Sequence, residues 1–155
     1  MEEFKLSPPW KNAVKVLIEA GLTYGSTVEK ARIIDLCDLV RPTTIEEKDR
    51  FDLRLLQCTG EIKEALLTEH HMMLVTNRDG SYRVVAPKEQ TAYAVDCGAR
   101  SIAKELQRMA CGVQYVNTAL LDDTQRKQNA DALAKISMLA GMQKLANREL
   151  RQIVE

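Results

Sequence analysis

The side chains able to do chemistry in this chain are few and far apart. Histidine occurs only as the adjacent pair His70-His71, and neutral imidazole is the commonest metal ligand near physiological pH. Neighbours on a helix point about 100° apart, so two adjacent histidines are poorly placed for one ion. Glu69 adjoins them, but no second cluster with ligand spacing exists in the chain. A histidine at a helix C-terminus, meeting unpaired carbonyls and the negative end of the dipole, is the better reading. Cys37, Cys58, Cys97 and Cys111 form no CxxC pair, so they read as buried thiols in a reducing compartment, not as zinc ligands or a redox couple.

Nucleophilic catalysis needs a serine or cysteine beside a general base, and the sequence around Cys37 and Cys58 carries no such signature. Asp122-Asp123 and Glu46-Glu47 sit where helices begin and read as caps and first-turn dipole partners, not as an acid and base. Tyr24-Gly25-Ser26 holds one glycine and no GxxxxGK occurs, so no phosphate-cradling loop is present. The expectation is a protein that is not an enzyme, with no cofactor and no catalytic or metal-ligating residues. Met72, Met73, Met109, Met138 and Met142 suit either gap-filling in a core or an adaptable contact surface.

Any binding residue must be positioned by helices. Ser7-Pro8-Pro9 before Trp10 predicts a helix over 9–20, with Ser7 as the cap, a stripe of Trp10, Ala13, Val14, Leu17 and Ile18, and Gly21 as terminator. Leu22 to Gly25 reads as a connector or one-bridge strand. Ser26-Thr27-Val28-Glu29 has the capping-box form and predicts a second helix through Leu39, ended by Pro42. Thr44-Ile45-Glu46-Glu47 repeats the box, and Phe51, Leu55, Cys58, Ile62 and Leu66 hold one face from about 45 to 69. That run is either a single helix over about 45–69 or two helices broken at Thr59-Gly60, and the glycine penalty of about 1 kcal/mol tips the expectation slightly toward the break. Met72–Thr76 and Ser81–Val85 flank the turn tetrad Asn77-Arg78-Asp79-Gly80 and predict one β-hairpin, closed by Pro87.

Beyond it, Val95, Ala99, Ile102, Ala103, Leu106, Met109, Ala110, Val113 and Val116 predict a long helix over 89–118. Gly98 and Gly112 within it suggest close approach to another helix. Asp122 or Asp123 caps a shorter last helix with the stripe Ala132, Ile136, Leu139, Ala146, Leu150 and Ile153, and Gly141 is a possible break. The division is an N-terminal domain over 1–87 and a C-terminal antiparallel helical pair over 88–155.

The order helix, short strand, helix, helix, hairpin, from Trp10 to Val85, resembles the winged helix superfamily over residues 8–87. The fold class is then mainly α, a winged-helix-like N-terminal domain with one β-hairpin followed by the helical pair. The resemblance implies that the helix before the hairpin enters a major groove while the wing touches phosphate. The implied nucleic-acid contacts are Lys63 on the helix and Asn77, Arg78 and Arg83 on the wing. Long C-terminal helices in such regulators commonly dimerise, which implies a homodimer; the alternative is that both helices pack back to complete one core. Two departures favour a protein-interaction adaptor or inhibitor instead. Glu61, Glu64 and Glu69 stand against Lys63 alone on the third helix, and the run 45–70 is long for a recognition helix.

Charge supplies no whole-protein attraction for nucleic acid: among 155 residues, 22 Lys and Arg balance 22 Asp and Glu. Residues 124–155 hold six basic and three acidic groups, a mildly basic tail. Hydrophobic residues at 45% and charged ones at 28% fit a folded globular chain and exclude disordered and collagen-like classes. No run approaches the roughly 18 apolar residues of a membrane span, and Met1-Glu2-Glu3-Phe4 is acidic, unlike a secretory signal. A cytoplasmic, non-membrane DNA-binding or regulatory module is the leading expectation.

Overall fold

The structure, a computed structural model, describes residues 7–154; the acidic Met1-Glu2-Glu3-Phe4 segment lies outside them. Among these the order is α1 (Pro9–Glu19), β1 (Thr27–Val28), α2 (Lys30–Leu36), α3 (Ile45–His70), β2 (Leu74–Thr76), β3 (Tyr82–Val84), α4 (Pro87–Gln114) and α5 (Asp123–Val154). The protein is mainly helical, with a small antiparallel sheet. It divides into two compact units, one ending at Pro87 and one beginning at Lys88.

In the first unit, α1 carries Pro9 at its first turn, where a missing amide proton costs nothing. Pro8 is the cap residue and no side chain caps it, so Ser7 does not fill the expected role. Gly21 adopts φ +81°, letting Gly21 N donate to Ile18 O and Leu22 N to Leu17 O. Both bonds close the helix end and bring Leu22 onto the core.

Ser26-Thr27-Val28-Glu29 is no capping box. Thr27 and Val28 form β1 instead, pairing Thr27 with Arg83 and Val28 with Tyr82. Ser26 O accepts from Val84 N, Gly25 N donates to Val84 O, and the Ser26 hydroxyl accepts from Thr23 N. A cross-strand partner more than 50 residues away outcompetes the local cap. The expected single hairpin is therefore a three-stranded sheet of order β1-β3-β2. Helix α2 is correspondingly shorter than predicted. Asp38 takes φ +52° and Leu39 N donates back to Ile34 O, so the chain turns well before Pro42.

Thr44 caps α3 as its sequence predicts, with the reciprocal Glu47 bond present. The helix then runs unbroken through Thr59-Gly60. Thr59 is buried and its Oγ1 donates to Leu55 O at 2.6 Å, while Gly60 meets nothing that would push the helix apart. A glycine penalty of about 1 kcal/mol does not offset a continuous apolar face. That face, Leu55, Ile62, Ala65 and Leu66, packs with Ala13, Val14 and Leu17 of α1, Ile33 and Ile34 of α2, and Val28, Leu74, Tyr82 and Val84 of the sheet. His70 ends the helix and His71 stands beyond it at φ +57°.

The second unit differs in kind. Pro87 opens α4 instead of closing the hairpin, and α4 ends at Gln114, short of the expected 118. Asn117 then caps a 3-10 turn at Thr118–Leu120. Asp122 Oδ1 accepts from Gln125 N while Gln125 Oε1 accepts from Asp122 N, a capping box that starts α5. The last helix is the longer of the two, 32 residues against 28, and continues through Gly141. Gln143 Nε2 donates to Ala99 O at 3.0 Å, and Arg151 meets Asp96 at 3.3 Å, so the two helices contact each other in opposite chain directions. Among the described residues of this unit only Ala99 and Ile136 are buried, at 8% and 7% exposure. A Cβ added at Gly98 or Gly112 would meet nothing within 4 Å, which overturns the close approach expected there within one chain.

Candidate nucleic-acid interface

The β2–β3 turn is built by its own side chains. Asn77 N donates to Ser81 O at 2.8 Å and Gly80 N to Asn77 O at 3.1 Å, with Gly80 at φ +85°, where a Cβ would be strained. Asn77 Nδ2 donates to Ser81 Oγ at 2.9 Å, and Asp79 Oδ1 accepts from both Ser81 N and Ser81 Oγ. Those bonds hold the Asp79 carboxyl below its ordinary range, the Ser81 hydroxyl bond contributing most. Asn77 is thus half-buried in the frame of the turn, with one N–H of its side-chain amide engaged by Ser81. Arg78 is exposed at the tip.

Arg83 lies at the middle of β3, opposite Thr27 on one side and Val75 on the other. Strand alternation puts it on the face away from Tyr82 and Val84, which enter the core. Arg83 is half-buried. Lys63 is turned inward from α3. Its Nζ donates to Thr76 Oγ1 at 2.9 Å and sits 5.6 Å from the centroid of the Tyr82 ring. Burial lowers its pKa from the ordinary lysine value. Lys63 ties α3 to the sheet, so a groove contact by that ammonium must break two interactions within the fold. Of the four sequence-predicted residues, Arg78 and Arg83 share the β2–β3 hairpin, Asn77 braces it, and Lys63 faces it from behind.

Two cationic features escaped the sequence reading. The Cδ of Lys30, at the start of α2, is the nearest atom, at 4.0 Å, to a Cβ placed on Gly80, which brings a third cation to the turn. That neighbourhood arises from the β1–β3 pairing and has no local signal. Arg41, Arg50 and Arg54 line a cleft of about 380 Å³ with Phe51, Val40 and Pro42. The spacing of Arg50 and Arg54, one helical turn apart, was the available signal there.

The solvent side of α3 is unlike a groove-reading surface. Glu64 and Glu69 are exposed, and Leu53 and Leu56 stand out at 68% and 72% exposure. Cys37 is buried near Cys58, and burial, reinforced by that neighbouring thiol, pushes Cys37 up to about 12. It is not a nucleophile near neutral pH. Cys111 is exposed, contrary to its reading as a buried thiol. Among the described residues no three His, Cys, Asp or Glu side chains group to hold a metal ion, and no helix is long and apolar enough to cross a membrane. In comparisons with family models, curated proteins and solved structures, the chain matches none.

Proposed function

We propose that residues 8–87 are a winged-helix-like module that contacts the backbone of duplex DNA through the β2–β3 turn, without catalysis. The observation that carries this reading is the set of three cations on one hairpin, Lys30 and Arg78 at the β2–β3 turn and Arg83 midway along β3, in a unit of order α1-β1-α2-α3-β2-β3 with sheet order β1-β3-β2. Phosphate contacts of this kind fix position and carry no base specificity. Helix α3 is left out of the groove, because Glu64 and Glu69 oppose phosphate and Lys63 is engaged with Thr76.

The test is fluorescence anisotropy of a labelled pool of short duplexes, titrated with full chain at low and then physiological salt. Binding at low salt that weakens steeply as salt rises is the expected result. No binding at low salt would remove the proposal. A second reading, a protein-interaction adaptor on the same fold, is favoured by the exposed Leu53 and Leu56 on α3. It expects a complex that tolerates salt and fails with Leu53→Asp or Leu56→Asp.

A further inference from the structure

The cleft beside the start of α3 gathers three arginines that the fold leaves unpaired. One wall is the connector from α2 to α3, which brings Val40, Arg41 and Pro42. The other is a face of α3 on which Glu47, Arg50, Phe51 and Arg54 recur at helical spacing. Thr43 N and Thr43 Oγ1 both donate to Glu47 Oε2 at 2.9 Å, which ties the walls together. The cleft is therefore formed in advance of any ligand, a condition that favours binding.

Arg41, Arg50 and Arg54 are exposed, and among the described residues none of them makes a hydrogen bond or an ion pair. Carboxylates are close by. Glu46 and Glu47 precede Arg50 by four and three positions, and Asp38 lines the adjoining hollow with Arg54. Glu47 is engaged by the connector instead, and neither Glu46 nor Asp38 comes within ion-pair distance of an arginine. Arg50 and Arg54, one turn apart, repel each other, so an anion between them relieves a repulsion that the fold itself leaves in place. In the lining three cations accompany one carboxylate, a balance suited to a dianion, and guanidinium groups meet phosphate oxygens in paired hydrogen bonds. Val40, 88% exposed, makes an apolar wall with Pro42 and the half-buried Phe51, which a bare phosphate ion leaves uncovered. The volume, about 380 Å³, is that of a small-molecule site.

We propose that this cleft binds a small organic phosphate monoester, its phosphate held by Arg41, Arg50 and Arg54 and its apolar body laid against Val40, Pro42 and Phe51. A nucleic acid is the poorer occupant. The same turns of α3 expose Glu46, Asp49 and Asp52, which repel a polyanion extending past the cleft but not a single phosphate within it. From Arg54 to Lys63 the helix also makes a net rotation of about 180°. The cleft thus opens on the flank of α3 away from the sheet, where Lys63 meets Thr76. The site stands independently of what the β2–β3 hairpin binds.

Isothermal titration calorimetry of the full chain with phenyl phosphate, in low-salt buffer free of phosphate, tests it. Saturable binding is expected, with inorganic phosphate about tenfold weaker for want of the ring. Arg50→Ala and Arg54→Ala should each weaken phenyl phosphate about tenfold, and Arg148→Ala, at an exposed arginine of α5, should change nothing. In carbon-13 NMR spectra the Phe51 ring signals should shift on adding phenyl phosphate, a readout that needs no variant to fold. A saturating short duplex should leave the phenyl phosphate affinity within about twofold. Absence of both heat and a Phe51 shift overturns the proposal, as does an affinity no better than that of inorganic phosphate or indifferent to both arginine variants. Displacement by duplex would make the cleft part of a nucleic-acid surface and equally overturn it. A phosphotyrosine peptide more than about tenfold tighter than phenyl phosphate would make the occupant a protein segment and overturn the small-ligand assignment.

Discussion

At the scale of single residues, the polar groups of the first unit brace backbone ends more than they await a ligand. Glu47 accepts from Thr43 N and Thr43 Oγ1, both at 2.9 Å, and from Thr44 N at 3.3 Å. The Thr43 amide contributes most to lowering its pKa. A carboxyl whose folded pKa is depressed adds stability above its unfolded pKa and loses it as pH falls through the folded value. Acid below about pH 4 should therefore loosen the start of α3, and Glu47→Gln should flatten that part of the stability-against-pH curve measured by urea unfolding. Thr44→Ala should cost about 1 kcal/mol at neutral pH by freeing the Glu47 amide. In the core, Leu66 is fully buried, and Leu66→Ala should cost about 2–5 kcal/mol in the same measurement. The Thr44 box was legible because its bonds span three residues. Lys63 was not, since only the folded sheet brings Thr76 and Tyr82 to its ammonium.

At the scale of elements, periodicity and caps identified the five α-helices of the described residues but not the 3-10 turn at Thr118–Leu120, while several ends were set by partners distant in sequence. Ser26 to Glu29 has the same form as Thr44 to Glu47, yet the first became a strand because β3 offers it a ladder. No local rule separates the two. Gly60 shows the opposite error, a local penalty given too much weight. It is helical, exposed and free of neighbours within 4 Å, so Gly60→Ala should stabilise the protein by up to about 1 kcal/mol. Gly80→Ala, at φ +85°, should instead destabilise by about 1–2 kcal/mol. Paired thermal melts of the two variants distinguish a glycine tolerated by a helix from one required by a turn. The C-terminal stripe was legible as amphipathic, but its register was not. Of its members on α5 only Ile136 is buried, whereas Leu139, Leu150 and Ile153 remain exposed, because α5 turns a different face to α4.

At the scale of the whole molecule, a net charge of zero means that any attraction for DNA is local, and the proposal puts it at the β2–β3 hairpin. The resemblance in element order made Arg78 and Arg83 candidates, and only Arg78 lies in the turn tetrad. It could not bring out Lys30, which reaches the turn through a strand pairing. The most direct measurement is the salt dependence of duplex affinity for wild type beside the Arg78→Ala/Arg83→Ala double variant, with urea unfolding to show that both are folded. A log–log slope shallower by about 0.9 per lost phosphate contact, with weaker binding at every salt concentration, is the predicted result. Equal affinity and equal slope for the two proteins would contradict contact through the wing.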